Sequence, residues 1–155
     1  MRLAAPIEIR YRGEVRLTRI DFYQIESEIN HLLFACRLID KVYRLGHQIH
    51  VHTASEQDTS ALDDLLWTFK TERFVPHSRY DSPTTAPIRI CHYSEPVVHQ
   101  DVLVNLSGTI PSFFSRFDRV AEIVPEAEST RESARDNYRQ YKSKGYPLHY
   151  HKLSS

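Results

Sequence analysis

The stretch that decides the fold is Arg19–Ala54, RIDFYQIESEINHLLFACRLIDKVYRLGHQIHVHTA. Its first seven residues, RIDFYQI, are rich in β-formers and read as a strand. Ile29, Leu32, Leu33, Cys36, Ile39 and Tyr43 then recur at steps of three and four, one face of a helix. Gly46 stands where a helix needs a residue of positive φ to end. His47–Ala54 returns to a strand pattern. Strand, helix and strand with short connections predict parallel α/β construction, because a parallel pair needs a crossover and a helix supplies it.

The same alternation extends outward. Leu62, Leu65, Leu66 and Phe69 mark a second helix, started by the polar run Ser55–Thr59. Two apolar runs, Ile88–Cys91 and Val102–Leu106, read as further strands, and Val75–Pro87, with three prolines, as irregular. A short helix near Ser112–Phe117 and a strand at Arg119–Val124 lead to the last helix. The spacing Ser129-x-x-Glu132 predicts a capping box at its start, and Gly145-Tyr146-Pro147 its end. The fold expected is a three-layer α/β/α sheet, mostly parallel and Rossmann-like. Residues 18–155 form one domain, and 1–17 an N-terminal extension.

Composition excludes several functions. The four glycines, Gly13, Gly46, Gly108 and Gly145, lie too far apart to build a GxGxxG or GxxxxGK[ST] phosphate loop. No run approaches the length of a membrane span, and charges interrupt the N-terminus where an export signal would be apolar. Cys36 and Cys91 sit in apolar stretches and read as buried thiols of a reducing, cytoplasmic protein. His50 with His52, and His149 with His151, have a spacing that some metal sites use. No Asp, Glu or Cys stands at matching positions, so no metal and no cofactor is expected. No GxSxG elbow frames a serine.

The 155 residues carry 20 basic and 20 acidic side chains, but the balance is a sum of opposed parts. Residues 1–19 carry +3, residues 20–128 carry −7 and residues 129–155 carry +4. An acidic body disfavours direct binding of a nucleic-acid backbone. The positive end is concentrated on the last helix, where Arg131, Arg135, Tyr138 and Lys142 share a stripe roughly 60° wide, with Arg139 on its flank. Guanidiniums beside an aromatic ring suit a carboxylate-bearing ligand with an apolar end, and capture of a peptide C-terminus is one such use. A solvated basic face is the other reading of the same spacing. Trp67, the single tryptophan, points about 140° away from the apolar face of its own helix. It marks a partner surface, extended by Phe74-Val75-Pro76, or else lies under a following loop.

Taken together, several motifs resemble the chi subunit of bacterial DNA polymerase III holoenzyme. They are Ile20-Asp21-Phe22-Tyr23, Leu62-Asp63-x-x-Leu66-Trp67, Phe74-Val75-Pro76-His77, Asp101–Leu106 (DVLVNL), Glu122-Ile123-Val124-Pro125 and Ala134-Arg135-x-x-Tyr138-Arg139-x-Tyr141-x-x-x-Gly145. The resemblance spans roughly Thr18–Leu148 and implies a non-catalytic adaptor with a Rossmann-like fold and no nucleotide site. It implies two protein partners, with DNA contacted only indirectly and no membrane. One is the psi subunit, which ties chi to the clamp loader, at Trp67, Phe74, Val75 and Pro76; an XPD-like repair helicase is implied at the same surface. The other is the acidic C-terminal tail of single-stranded DNA-binding protein, ending in Pro-Phe, at Val124, Arg131, Arg135, Tyr138 and Arg139. In that site the tail's aspartates are expected to meet Arg131 and Arg139. Its terminal carboxylate would meet Arg135, and its ring a pocket by Val124 and Tyr138. The alternatives are an enzyme with a cryptic site on the sheet and a direct nucleic-acid binder using the basic ends.

Overall fold

The structure, a computed structural model, describes residues 17–26, 30–70, 75–79, 86–93 and 101–153. Its centre is a seven-stranded sheet in which every pairing is parallel. The strands are β1 (Arg19–Ile25), β2 (Ile49–His52), β3 (His77–Arg79), β4 (Ile88–Cys91), β5 (Val102–Asn105), β6 (Arg119–Val124) and β7 (Leu148–Leu153). They lie in the order β3-β4-β2-β5-β6-β1-β7. Helices α1 (His31–Arg44), α2 (Glu56–Thr68) and α3 (Glu128–Ser143) make the outer layers, with a short 3-10 turn at Phe114–Arg116.

Alternation along the strands sorts the core into two halves. Val102, Val104, Ala121 and Ile123 join Ile49, Val51, Ile88 and Ile90 under α1 and α2, whose Ala35, Cys36, Ile39, Leu62 and Leu66 close that side. Leu103, Val120, Val124, Ile20 and Phe22 face the other way. They pack with Phe113, Phe114 and Phe117 and with Ala134 and Tyr141 of α3. A strand covered on both faces is buried along its length, as β4, β5 and β6 are, with Arg89, Asn105, Arg119 and Glu122 the polar residues inside those runs.

The helix ends show which signals operate. Asn30 caps α1 by accepting from the N–H groups of Leu32 and Leu33, and Ser55 caps α2 through Asp58 N–H. Both α1 and α3 end in Schellman motifs. His47 N–H donates to Val42 O and Gly46 N–H to Tyr43 O, repeated by Tyr146 to Tyr141 and Gly145 to Lys142. Gly46 and Gly145 take φ of 96° and 86° there, as an L-residue rarely does.

Two expectations are corrected. The capping box at Ser129 and Glu132 does not form: α3 begins two residues earlier, Ala127 is its N-cap, and no side chain caps it. Thr130 Oγ1 instead donates to Pro125 O and Ala127 O, 2.7 Å each, pinning the entry of the helix to the end of β6. The stretch Val75–Pro87 is not wholly irregular, because His77–Arg79 pairs with β4 as an edge strand. Three residues, HSR, carry no β-pattern, and the ladder offered by β4 decides the matter. Ile29 and Phe74 lie outside the described residues, as does most of the N-terminal extension.

Both cysteine thiols are buried without a disulfide, and burial pushes the Cys36 thiol up to about 12. Among the described residues no group of three His, Cys, Asp or Glu side chains gathers to hold a metal ion, and no helix is long and apolar enough to cross a membrane.

Candidate functional site

The basic stripe of α3 lies over the β7 edge of the sheet. Arg135, Tyr138 and Arg139 line a groove of about 360 Å³ whose opposite wall is Gln24 of β1 with Tyr150 and Lys152 of β7. Register brings these three together: Phe22 pairs with Tyr150 and Gln24 with Lys152, so alternate residues of two adjacent strands face the same way. The wall is aromatic. Tyr150 stacks on buried Phe22 at 5.8 Å and meets Tyr138 edge-on at 5.9 Å, while Phe22 and Tyr138 are 5.5 Å apart. The Tyr150 hydroxyl donates to Gln24 Oε1, fixing the ring.

Arg135 is half exposed and pairs with Glu128 at 2.9 Å; Arg139, more exposed, pairs with Asp136 one turn earlier. Arg131 is tethered differently, donating through Nη2 to Ile25 O at 3.2 Å. Its charge still reaches the groove. Burial raises the Tyr150 phenol above its ordinary value, and the charges of Arg131 and Arg135 act to lower it. Such a groove offers carboxylate recognition along its rims and apolar contact at its floor.

Of the five residues expected at this site, the structure gathers three. Val124 is 4% exposed and belongs to the core cluster against which Tyr138 packs. It lines a neighbouring cavity of about 260 Å³, with Glu122, Pro125, Thr130, Ala134 and Asn137. Within this groove the ring that meets Tyr138 is that of Tyr150. Gln24, Tyr150 and Lys152 were missed by reasoning along one helix. The signal was an alternation, Tyr150-x-Lys152, that acquires meaning only once β7 lies beside β1.

Trp67 lies toward the other edge, on α2, which packs against β3 and β4. It is 57% exposed, and its ring sits 5.0 Å from His77 of β3 at a steep angle. His77 is locked from below: Nδ1 donates to Val75 O at 2.6 Å and Nε2 lies 3.3 Å from Asp63 Oδ1. Pro76 is half-buried. Val75, expected to extend this surface, is 1% exposed and belongs to the core beneath α1 and α2. The apolar feature presented here is Trp67 on its histidine support.

Comparison with known proteins identifies the relationship. The profile of the family described as "DNA polymerase III chi subunit, HolC" matches residues 17–149. The DNA polymerase III subunit chi of Pseudomonas aeruginosa is 42% identical over 139 residues, which cover 88% of this chain and 98% of that protein. The chi subunit of Haemophilus influenzae is 29% identical over 74% of this chain and 81% of its own. Among solved structures, T4 UvsW shares the fold at a TM-score of 0.62 and 8% identity. That likeness covers 89% of this chain but 42% of UvsW, and at such identity it speaks for the fold alone. The all-parallel sheet, the motifs from Ile20 to Gly145 and the matched length agree: this chain belongs to the DNA polymerase III chi subunit family, as an accessory subunit of the replicative polymerase.

Proposed function

We propose that this chain is a non-catalytic adaptor that joins the clamp loader, through psi, to single-stranded DNA-binding protein on the template, in the bacterial cytoplasm. The observation that carries this reading is the placement of the two candidate surfaces. Trp67 stands over His77 of β3 at one edge of the sheet, and the basic groove is built on β7 at the other. Six inter-strand spacings separate those edges, about 29 Å. Surfaces at opposite edges share no residue, so partners bound there need not compete for the same contacts.

The groove suits the acidic tail: its rims are cationic and its floor aromatic, matching aspartates followed by a terminal phenylalanine. DNA is reached through the protein that coats it, since the body of the chain is acidic.

Arg135→Ala is expected to weaken binding of a tail peptide by about tenfold or more, the usual effect of removing a central Arg anchor. Fluorescence anisotropy with a labelled peptide measures it, and a variant that binds as tightly as wild type refutes the site. Trp67→Ala is expected to reduce psi binding by a comparable factor while leaving peptide affinity within about twofold, because distant sites without shared partners act independently. Titrations of each ligand in the presence of the other check this. If Trp67→Ala impairs both, the surfaces are not independent and the bridge fails.

A further inference from the structure

The groove holds three cations, and they are not equivalent. Arg135 and Arg139 each already face a carboxylate of their own helix, Glu128 and Asp136. Lys152 has no ion-pair partner among the described residues. It lies exposed on β7, across the groove from α3, in register with Gln24 and two residues beyond Tyr150. A carboxylate arriving at Arg135 or Arg139 shares a guanidinium whose five donors can hold a second acceptor, but part of its attraction is offset by the carboxylate of α3 already there. A carboxylate arriving at Lys152 gains a new pair. Lysine is also a compact charge on a flexible stem, without the fixed fork that makes arginine demand one geometry. It therefore selects for negative charge at its position while tolerating variation in which residue carries it.

Resting on the reading of the groove as an acidic-peptide site, we propose that Lys152 is a specificity-determining residue. It selects peptides carrying side-chain carboxylates upstream of the C-terminus, leaving the terminal carboxylate to α3. Tyr150 is its positioning partner, since the Phe22 stack and the Gln24 hydrogen bond fix the β7 wall from which Lys152 projects.

The test uses the full chain and two synthetic peptides with free C-termini, one of several aspartates followed by Pro-Phe and one with asparagines in place of the aspartates. At low ionic strength Lys152→Ala is expected to bind the aspartate peptide about 3–5-fold more weakly than wild type, the scale of one exposed ion pair. Lys152→Glu, by charge reversal, is expected to lose about tenfold or more, and both losses shrink at about 0.3 M salt. The asparagine peptide should bind wild type and Lys152→Ala alike. Lys144→Ala, which removes the same charge at the exposed end of α3 outside the groove, should stay within about twofold of wild type for both peptides.

Lys152→Glu binding the aspartate peptide within twofold of wild type would overturn the proposal, as would an equal loss for both peptides. If Arg135→Ala abolishes binding in that same experiment, the groove stands and only the role of Lys152 is lost. If wild type binds neither peptide, the reading of the groove falls and the role of Lys152 with it.

Discussion

Asp21→Ala is expected to destabilise the protein by about 3–5 kcal/mol, the cost of stranding buried charge. Asp21 lies in β1, fully buried, one strand from the β7 edge. Its carboxylate accepts from Arg119 Nε at 2.6 Å, from Arg19 Nη2 at 3.1 Å and from His151 Nε2 at 3.0 Å. These partners come from β6, β1 and β7, so a single anion ties three adjacent strands through their side chains. Without it, Arg119, itself 6% exposed, keeps its charge in the interior with no carboxylate among the described residues to answer it. Urea unfolding should show the loss as a lowered midpoint at an unchanged slope. A midpoint within the error of wild type would show that the cluster is solvated and contributes nothing. Burial alone would raise the Asp21 carboxyl, but hydrogen bonds from Arg119 and His151 and the charge of Arg119 hold it below the ordinary aspartate value. A depressed carboxyl stabilises the fold above the ordinary aspartate range, and that contribution is lost as pH falls through its lowered value.

Glu122→Gln is expected to flatten the pH profile of stability between about 4.3, the ordinary glutamate value, and neutrality. Glu122 of β6 is buried under α3, where burial pushes its carboxyl up to about 7 against the hydrogen bonds from Tyr141 and Asn105. The sign is opposite to that of Asp21. Below the ordinary range both folded and unfolded chains hold the proton. As pH rises the unfolded chain releases it first, and stability falls until the folded carboxyl also ionises near 7. The loss is on the order of 3 kcal/mol. Glutamine does not titrate, so the variant should gain on wild type steadily over this window. Denaturation midpoints measured across it would decide the matter: a constant difference between the two proteins means that Glu122 does not titrate there.

The consequence reaches the groove. The Tyr141 hydroxyl donates to Glu122 Oε2 at 2.6 Å, and Asn105 Nδ2 donates to both carboxylate oxygens at 3.0 Å. This network fastens α3 to β5 and β6. Tyr138 and Arg135 lie on that helix about one and two turns before Tyr141, so its anchoring sets their distance from the β7 wall.

Much of this was legible in order along the chain. Arg19–Ile25 and Arg119–Val124 are strands with the bounds their composition suggested. The direction of Trp67 followed from helical spacing, because a rotation of 100° per residue fixes where a side chain points relative to its neighbours, while its exposure, left open between a surface and a covering loop, was decided by the structure. Gly46 and Gly145 ended their helices as expected, since the need for positive φ is local. Failures came where a neighbour distant in sequence had the deciding interaction. His77–Arg79 is a strand because β4 pairs with it, and Val75 is core because the sheet edge turns it under α1 and α2. Ser129 lost its capping role to the way Thr130 ties α3 to β6.

By itself the sequence determined the α/β class, the lack of a GxGxxG or GxxxxGK[ST] motif, the cationic stripe of α3 and the projection of Trp67. All of these rest on period, residue type or spacing within one element. Only the tertiary structure decided which edge of the sheet each feature occupies, and that Tyr150 and Lys152 complete the groove begun by Arg135 and Tyr138. Strand order and register are contacts between residues up to 130 positions apart, as His151 with Asp21 shows, and no local pattern encodes them.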